Sequence, residues 1–305
     1  MYLAFNAYCF SGPKALNSLL VECISPVIKE LRSEGLVDSF FYDRFDRRGP
    51  HIFGVASVCK ETFEEVEYRI KNKVESYFAD RRNMDQYPLD ELMARHYGCE
   101  GKALCEIDRL AGLATDQTVL FCGHSNGSYP FSITKDMPGS AELWRLVDKT
   151  TSYTLQVLAD ERSPTSQALN WIATVDRSLY RYHMNAGDYY RYHAATLLTN
   201  LEEKLEENEQ EIIESLPGMV AKNRAIFDKF FSREDIDTSW LSINQLVNLA
   251  TNPNPAFHHW ATLREVVHCT LKQFGLSINT QMPIILYGWL RALQQCEFGG
   301  WGAQP

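Results

Sequence analysis

The chain has no basic excess, no clustered cysteines and no long apolar run, and each absence removes a class of function. Lys and Arg total 30 against 39 Asp and Glu, a formal charge of −9. Nucleic-acid affinity comes mainly from counterion release at clustered cations, so direct binding of DNA or tRNA is not expected. The eight cysteines, Cys9, Cys23, Cys59, Cys99, Cys105, Cys122, Cys269 and Cys296, form no CxxC pair. Structural zinc and small disulfide frameworks need clustered ligands, so these read as free thiols, mostly buried. No stretch approaches the roughly 18 to 20 consecutive apolar residues of a membrane span, and MYLAFNAYCF lacks the basic region and cleavage site of a signal peptide. A soluble, cytoplasmic protein is the expectation.

Also missing are HExxH, a Gly-rich phosphate loop and a GxSxG elbow, the usual apparatus of metal hydrolysis, nucleotide chemistry and serine hydrolysis. An enzyme built from this chain is therefore expected to work with no cofactor and no metal. The 305 residues, 45% of them hydrophobic, suffice for one large domain or two modest ones.

The first eighty residues alternate strands and helices. Tyr2 to Phe10 reads as a strand ending at Ser11-Gly12-Pro13. From Lys14 to Arg32, Leu16, Leu20, Ile24, Val27, Ile28 and Leu31 mark one helical face, with a kink expected at Pro26 and a stop at Gly35. Strands at Val37 to Phe45 and His51 to Cys59 flank a polar turn, and a helix follows from Glu61 to Ala79. The order β-α-β-β-α is part of a ferredoxin-like layer. VLFCGHS and SYPFSIT around Asn126-Gly127 suggest a hairpin at 117–134. The rest reads as helices over 141–159, 166–183, 188–216, 218–231, 242–250, 260–274 and 282–295. The fold class is α+β, a small antiparallel sheet with a large, mostly helical body, read as one domain over 1–305 with its α/β layer at 1–80. The glutamate-rich run from Leu201 to Glu214 keeps apolar residues at helical spacing, which suits a solvated helix face better than a partner site.

Three constellations can carry chemistry. In FFYDRFDRRGPHIFGVAS, Arg44 and His51 lie on facing strands beside one turn, a cation and an imidazole suited to an anionic or carbonyl substrate; a surface Asp and Arg network is the plainer reading. Arg264, His268 and Lys272 recur at i, i+4 and i+8, one helix stripe in which neighbouring cations favour the neutral imidazole that a general base requires. A partly buried structural histidine explains the same stripe. The tract SLYRYHMNAGDYYRYHAA, with Tyr182 and Tyr189, can line a peptide groove, although helical aromatics more often pack in cores or interfaces. Arg95 with His96, the pair His258-His259, and Tyr287 in PIILYGWLRAL are weaker candidates, and none has metal-ligand spacing.

Together the opening strand and helix, the aromatic strand with Arg44, the Gly49-Pro50-His51-Ile52 turn, and the His268 helix ending at Phe274-Gly275 resemble the lantibiotic dehydratase C-terminal (elimination) family. In character the chain is nearest the standalone pyridine synthases of thiopeptide biosynthesis. The resemblance runs from Met1 to about Gln295. It implies a tailoring enzyme acting on a leader-bearing precursor peptide, alongside partner dehydratase subunits. Together with the constellations above, the catalytic candidates are His268, Arg44, His51, Arg95 and Tyr287, and Arg264, Lys272, Tyr182 and Tyr189 are the candidates for binding substrate.

In members that eliminate glutamate, the strand after the turn reads His, apolar, Arg, apolar, Arg. Here it reads HIFGV, so Phe53 and Val55 stand at the two arginine positions. Arg95 in RHYG keeps a later arginine with His96 inserted, and Lys272-Gln273 replace the usual Asn-Arg. A leaving glutamate needs cations at its carboxylate. Most of that clamp is missing, so the expected reaction is a formal [4+2] aza-cycloaddition of two dehydroalanines, with loss of water and leader peptide. A split eliminase and a non-catalytic peptide-binding scaffold are the alternatives.

Overall fold

The computed structural model describes residues 1–45, 49–81, 114–124, 140–181, 185–202, 209–232 and 260–298. It is an α+β protein that divides into two compact units, Met1–Ser163 and Pro164–Pro305.

In the first unit β1 (Tyr2–Tyr8) leads into a long helical stretch made of α1 (Pro13–Ser18), a π-helical turn (Leu19–Ile24) and α2 (Ser25–Ser33). The disturbance expected at Pro26 takes the form of this π turn. The Ser25 N–H bonds back to the Leu20 carbonyl, and Pro26, which has no N–H to offer, falls in the first turn of the segment that follows. Gly35, at φ +75°, ends the helix as expected.

The hairpin of β2 (Val37–Phe45) and β3 (His51–Val58) precedes α3 (Phe63–Ala79), β4 (Thr118–His124) and α4 (Ser140–Ala159). The sheet is antiparallel in the order β2-β3-β1-β4. The β-α-β-β-α-β succession with that order is the complete ferredoxin-like layer. β4 pairs with β1, and the second half of the expected 117–134 hairpin lies outside the described residues, as does the expected helix at 242–250.

Alternation along each strand gives the sheet two faces. Leu3, Phe5, Ala7, Phe40, Tyr42, Ile52, Ala56 and Val58 face Leu19, Leu20, Ile24, Val27, Ile28, Val66, Ile70 and Val74 in one apolar core. Leu3 and Phe5 are fully buried, each stabilising by about 1.5–3 kcal/mol relative to exposure. Phe5 lies over Gly54, where an added Cβ would fall 2.3 Å from its ring, so the glycine is what lets the two strands carry an aromatic ring here. At the sheet edge, α4 covers β2 by polar contacts. Asp148 accepts the Phe40 N–H at 2.8 Å, and the Tyr42 hydroxyl donates to Thr154 at 3.2 Å.

The second unit is helical among its described residues: α5 (Pro164–Arg181), α6 (Ala186–Glu202), α7 (Glu209–Phe231), α8 (Ala261–Gln273) and α9 (Ile278–Phe298). A division was expected at Pro217; instead α7 runs through Pro217, giving up one ladder bond, and α6 and α7 are separate helices. α9 packs against α6 and α7. No helix among the described residues is long and apolar enough to cross a membrane.

Candidate functional site

His268 lies in the middle of α8 and is 9% exposed. Its Nδ1 is 2.8 Å from Gln281 Oε1, and Gln281 Nε2 donates to the Leu276 carbonyl at 2.8 Å. The amide orientation follows, because the reverse would set Oε1 against a carbonyl oxygen. An oxygen facing Nδ1 requires Nδ1 to carry hydrogen, so in the neutral imidazole Nε2 holds the lone pair. That is the arrangement a proton acceptor needs.

Arg264, one turn before His268, pairs with Glu265 at 2.7 Å. Lys272, one turn after, is half-buried. From α6, Tyr189 and His193 are fully buried, with the Tyr189 hydroxyl 3.2 Å from His193 Nδ1. Burial, then the charges of His268 and Arg264, push the His193 pKa well below the usual histidine range. His193 is therefore neutral, and its Nε2 has no hydrogen-bond partner among the described residues. Burial raises the Tyr189 phenol above its ordinary value, and its ring packs on Trp260 at 5.6 Å and Tyr190 at 5.2 Å.

Tyr190 carries the polar chain further. Its hydroxyl donates to Asp176 at 3.0 Å, and Arg291 donates to the other oxygen of that carboxylate at 2.5 Å. Desolvation pushes the Asp176 carboxyl up to about 6 against the pull of Arg291 and Tyr190. Gly288 lies under the Tyr190 ring, where a Cβ would fall 2.5 Å away. One residue earlier, Tyr287 donates to Asp228 and is held between Phe227 and Phe231 at 5.2 and 5.0 Å. Burial first, and the accepting Asp228 second, keep it a neutral phenol.

The sheet unit holds the other two predicted residues. The register pairs Arg44 with Ile52 and Phe45 with His51. Arg44 and His51 therefore point to opposite faces of the sheet and do not form a joint site. Arg44 turns toward the helices and donates to Asn17 Oδ1 at 2.7 Å. His51, 5% exposed, lies among Tyr8 at 4.5 Å and Phe45 at 5.8 Å, with Nδ1 2.8 Å from the Gly49 carbonyl. Phe53 and Val55 share its face, so the positions where the resemblance implied arginines present an aromatic ring and a buried aliphatic group. Arg95 and Tyr182 lie outside the described residues.

The chain can now be set beside known proteins. Residues 3–100 match the lantibiotic biosynthesis dehydratase C-terminal family. The match covers β1 to β3, α1 to α3 and the segment after them, and stops before β4. No curated protein matches. Among solved structures the chain is similar to a pyridine synthase, TbtD, from thiomuracin biosynthesis, at 16% identity over 98% of this chain and 99% of that one, with a TM-score of 0.64. At that identity the likeness shows the fold. The crystal structure of TsrL aligns over 98% of this chain and 96% of its own at 13% identity, with a TM-score of 0.40.

Residue types and helical spacing singled out His268, Arg264 and Tyr287 in the helical unit. They did not single out His193, Asp176, Asp228 or Gln281. Arg-Tyr-His at 191–193 was the available signal for His193, whereas the partners of Asp176 and Gln281 are defined only by helix packing.

Proposed function

We propose that this chain tailors a ribosomally made, leader-bearing precursor peptide by joining two dehydroalanines into a six-membered nitrogen heterocycle. The amide preceding one dehydroalanine isomerises to its imidic acid, giving a C=N–C=CH2 unit that adds across the CH2=C of the other. Loss of the imidic hydroxyl as water, and of the leader as its carboxamide, leaves an aromatic pyridine. The observation that carries this reading is the fold likeness to a pyridine synthase from one end of the chain to the other. The site chemistry supports it.

His268 Nε2 takes the amide proton and returns it to the amide oxygen, while Arg264 and Lys272 favour negative charge developing on that oxygen. Tyr189 and Tyr287 belong to the same helical unit, but both are buried with their hydroxyls engaged by His193 and Asp228, so their part is to hold the packing around the site. Holding the two alkenes in a fixed mutual orientation supplies much of the rate in such a reaction, since orientation alone is worth about 7–11 kcal/mol in favourable cases. Removal of glutamate from glutamylated Ser or Thr is disfavoured by Phe53 and Val55, which give a leaving carboxylate no cation on the His51 face.

The test is a synthetic leader peptide bearing two dehydroalanines, incubated with the protein and followed by mass spectrometry. The expected product has lost water and the leader together. Recovery of the intact peptide would sink the proposal; elimination from a glutamylated peptide instead would establish the eliminase, and tight binding with no conversion a scaffold.

A further inference from the structure

The contact between His268 and Gln281 joins two helices through a turn that has its own geometric demands. α8 ends at Phe274 with Gly275 at φ +83°. The Gly275 N–H bonds the Lys272 carbonyl at 2.8 Å, and the Leu276 N–H reaches back to the Leu271 carbonyl at 3.1 Å. This is the paired Schellman closure, which only a left-handed residue completes without strain. It fixes the direction of the Leu276 peptide. Ser277 then starts α9, its carbonyl accepting the Gln281 N–H at 3.0 Å. Gln281 is fully buried, and both ends of its amide are engaged, Nε2 by Leu276 and Oε1 by His268.

We propose that Gln281 is a positioning residue that transmits the orientation of the Leu276 carbonyl to His268, fixing the imidazole as the Nδ1–H tautomer, the form whose lone pair lies on Nε2. The inference rests on His268 being the proton acceptor of the reaction above. A backbone carbonyl can take part in no other tautomer: it accepts only, so Gln281 must present nitrogen to it and oxygen to the ring. The device also assigns a purpose to Phe274-Gly275-Leu276, a turn whose glycine aims a carbonyl 5 residues before Gln281 in sequence. During proton transfer Nε2 gains the amide proton and then releases it to the amide oxygen. Nδ1–H stays donated to Gln281 throughout, so no proton is left on the protein at the end.

The experiment labels the full-length protein with 15N-histidine and reads the ring tautomers by two-bond correlation, with the His268 signals assigned by their loss in His268→Ala. The wild type is expected to show the Nδ1–H form of His268 in the neutral state. Gln281→Leu shifts it toward Nε2–H and lowers kcat about 10- to 100-fold with KM little changed, as for other partners that orient a working imidazole. Gln281→Glu still offers an accepting oxygen to Nδ1 but sets its other oxygen against the Leu276 carbonyl, so it keeps the Nδ1–H tautomer and recovers only part of kcat. A wild-type Nε2–H tautomer overturns the proposal, and so does a Gln281→Leu protein with unchanged spectrum and kcat. Should Gln281→Leu fail to fold, the wild-type and Gln281→Glu spectra decide. The tautomer is read without peptide, so a correct tautomer in a protein that does not cyclise would remove the reaction and leave the positioning intact.

Discussion

Residues 1–163 surround their sheet with Leu, Ile, Val and Phe, and the buried carboxyl of Asp43 and imidazole of His51 stay on the sheet face opposite those helices. Residues 164–298 instead draw Asp176, His193, His268, Gln273 and Gln281 into the packing of helix on helix. Each unit holds a histidine with a tethered Nδ1, but the tethers differ. His51 is held by the carbonyl of Gly49, two residues away on its own hairpin, whereas His268 depends on a side chain of another helix. The family match covers only the first kind of region. Recognition by sequence and concentration of buried polar chemistry thus fall on different parts of the molecule. A sheet core is specified by alternation and volume, which many sequences satisfy. A buried polar cluster must satisfy each donor and acceptor at once.

The sharpest way to break this contrast is to remove one group from each unit. His268→Ala is expected to lower the cyclisation rate about 10²- to 10⁴-fold, with circular dichroism and peptide binding retained. Arg44→Ala, which removes a cation already donated to Asn17, is expected to leave the rate within about tenfold, a change of 1.36 kcal/mol in barrier. The reverse ranking would move the chemistry to the sheet unit.

A second test uses pH. Asp176 has its folded-state pKa raised to about 6 from 3.8. Between those values the folded protein holds a proton that the unfolded chain has released, so this carboxyl's contribution is fully present below about pH 4 and is lost as pH rises through 6. At about 1.36 kcal/mol per unit the loss is about 3 kcal/mol. Denaturant midpoints of the helical unit should fall across that window, and Asp176→Asn should flatten the slope. An unchanged slope would mean that Asp176 is not desolvated.

Glycine substitutions probe packing and should have smaller effects. Gly54→Ala places a methyl group against Phe5, which is fully buried and has no room to withdraw. Overpacking of this kind costs about 1–3 kcal/mol. Gly288→Ala meets Tyr190 similarly, but the gain in helix propensity offsets about 1 kcal/mol. Thermal melts should therefore show the larger drop in Gly54→Ala, and equal drops would mean that the Tyr190 ring is held more tightly than the Phe5 ring.

Much of the sheet unit was legible in the sequence because its signals are local. Alternation placed β1 to β3 nearly to their ends, and the spacing of Leu16, Leu20 and Ile24 located the helix. β4 was seen as a strand, but its pairing with β1 joins residues more than a hundred apart and leaves no local trace. The opposite facing of Arg44 and His51 depends on register, which the turn residues alone did not supply. In the helical unit the i, i+4, i+8 stripe revealed His268. Its partner could not be read, because a glutamine thirteen residues on becomes a neighbour only after the turn at Gly275 reverses the chain. Pro217 misled for a related reason: the cost of an interior proline, about 3 kcal/mol, is borne by a helix of 23 residues held by its neighbours.

The π turn at Leu19–Ile24 has a further consequence for how this helical stretch keeps one side inward. Leu19, Cys23, Val27 and Leu31 are all buried and recur every four residues, as do Leu16, Leu20, Ile24 and Ile28. At 3.6 residues per turn each such step overshoots a full rotation by about 40°, so three steps in a strict α-helix would carry the last side chain about 120° round the axis. A wider turn subtracts part of that drift midway, letting two rows of four-spaced residues stay against the same sheet. The local unwinding that accommodates a proline also serves as the correction that keeps Leu31 in the core and not out in the solvent.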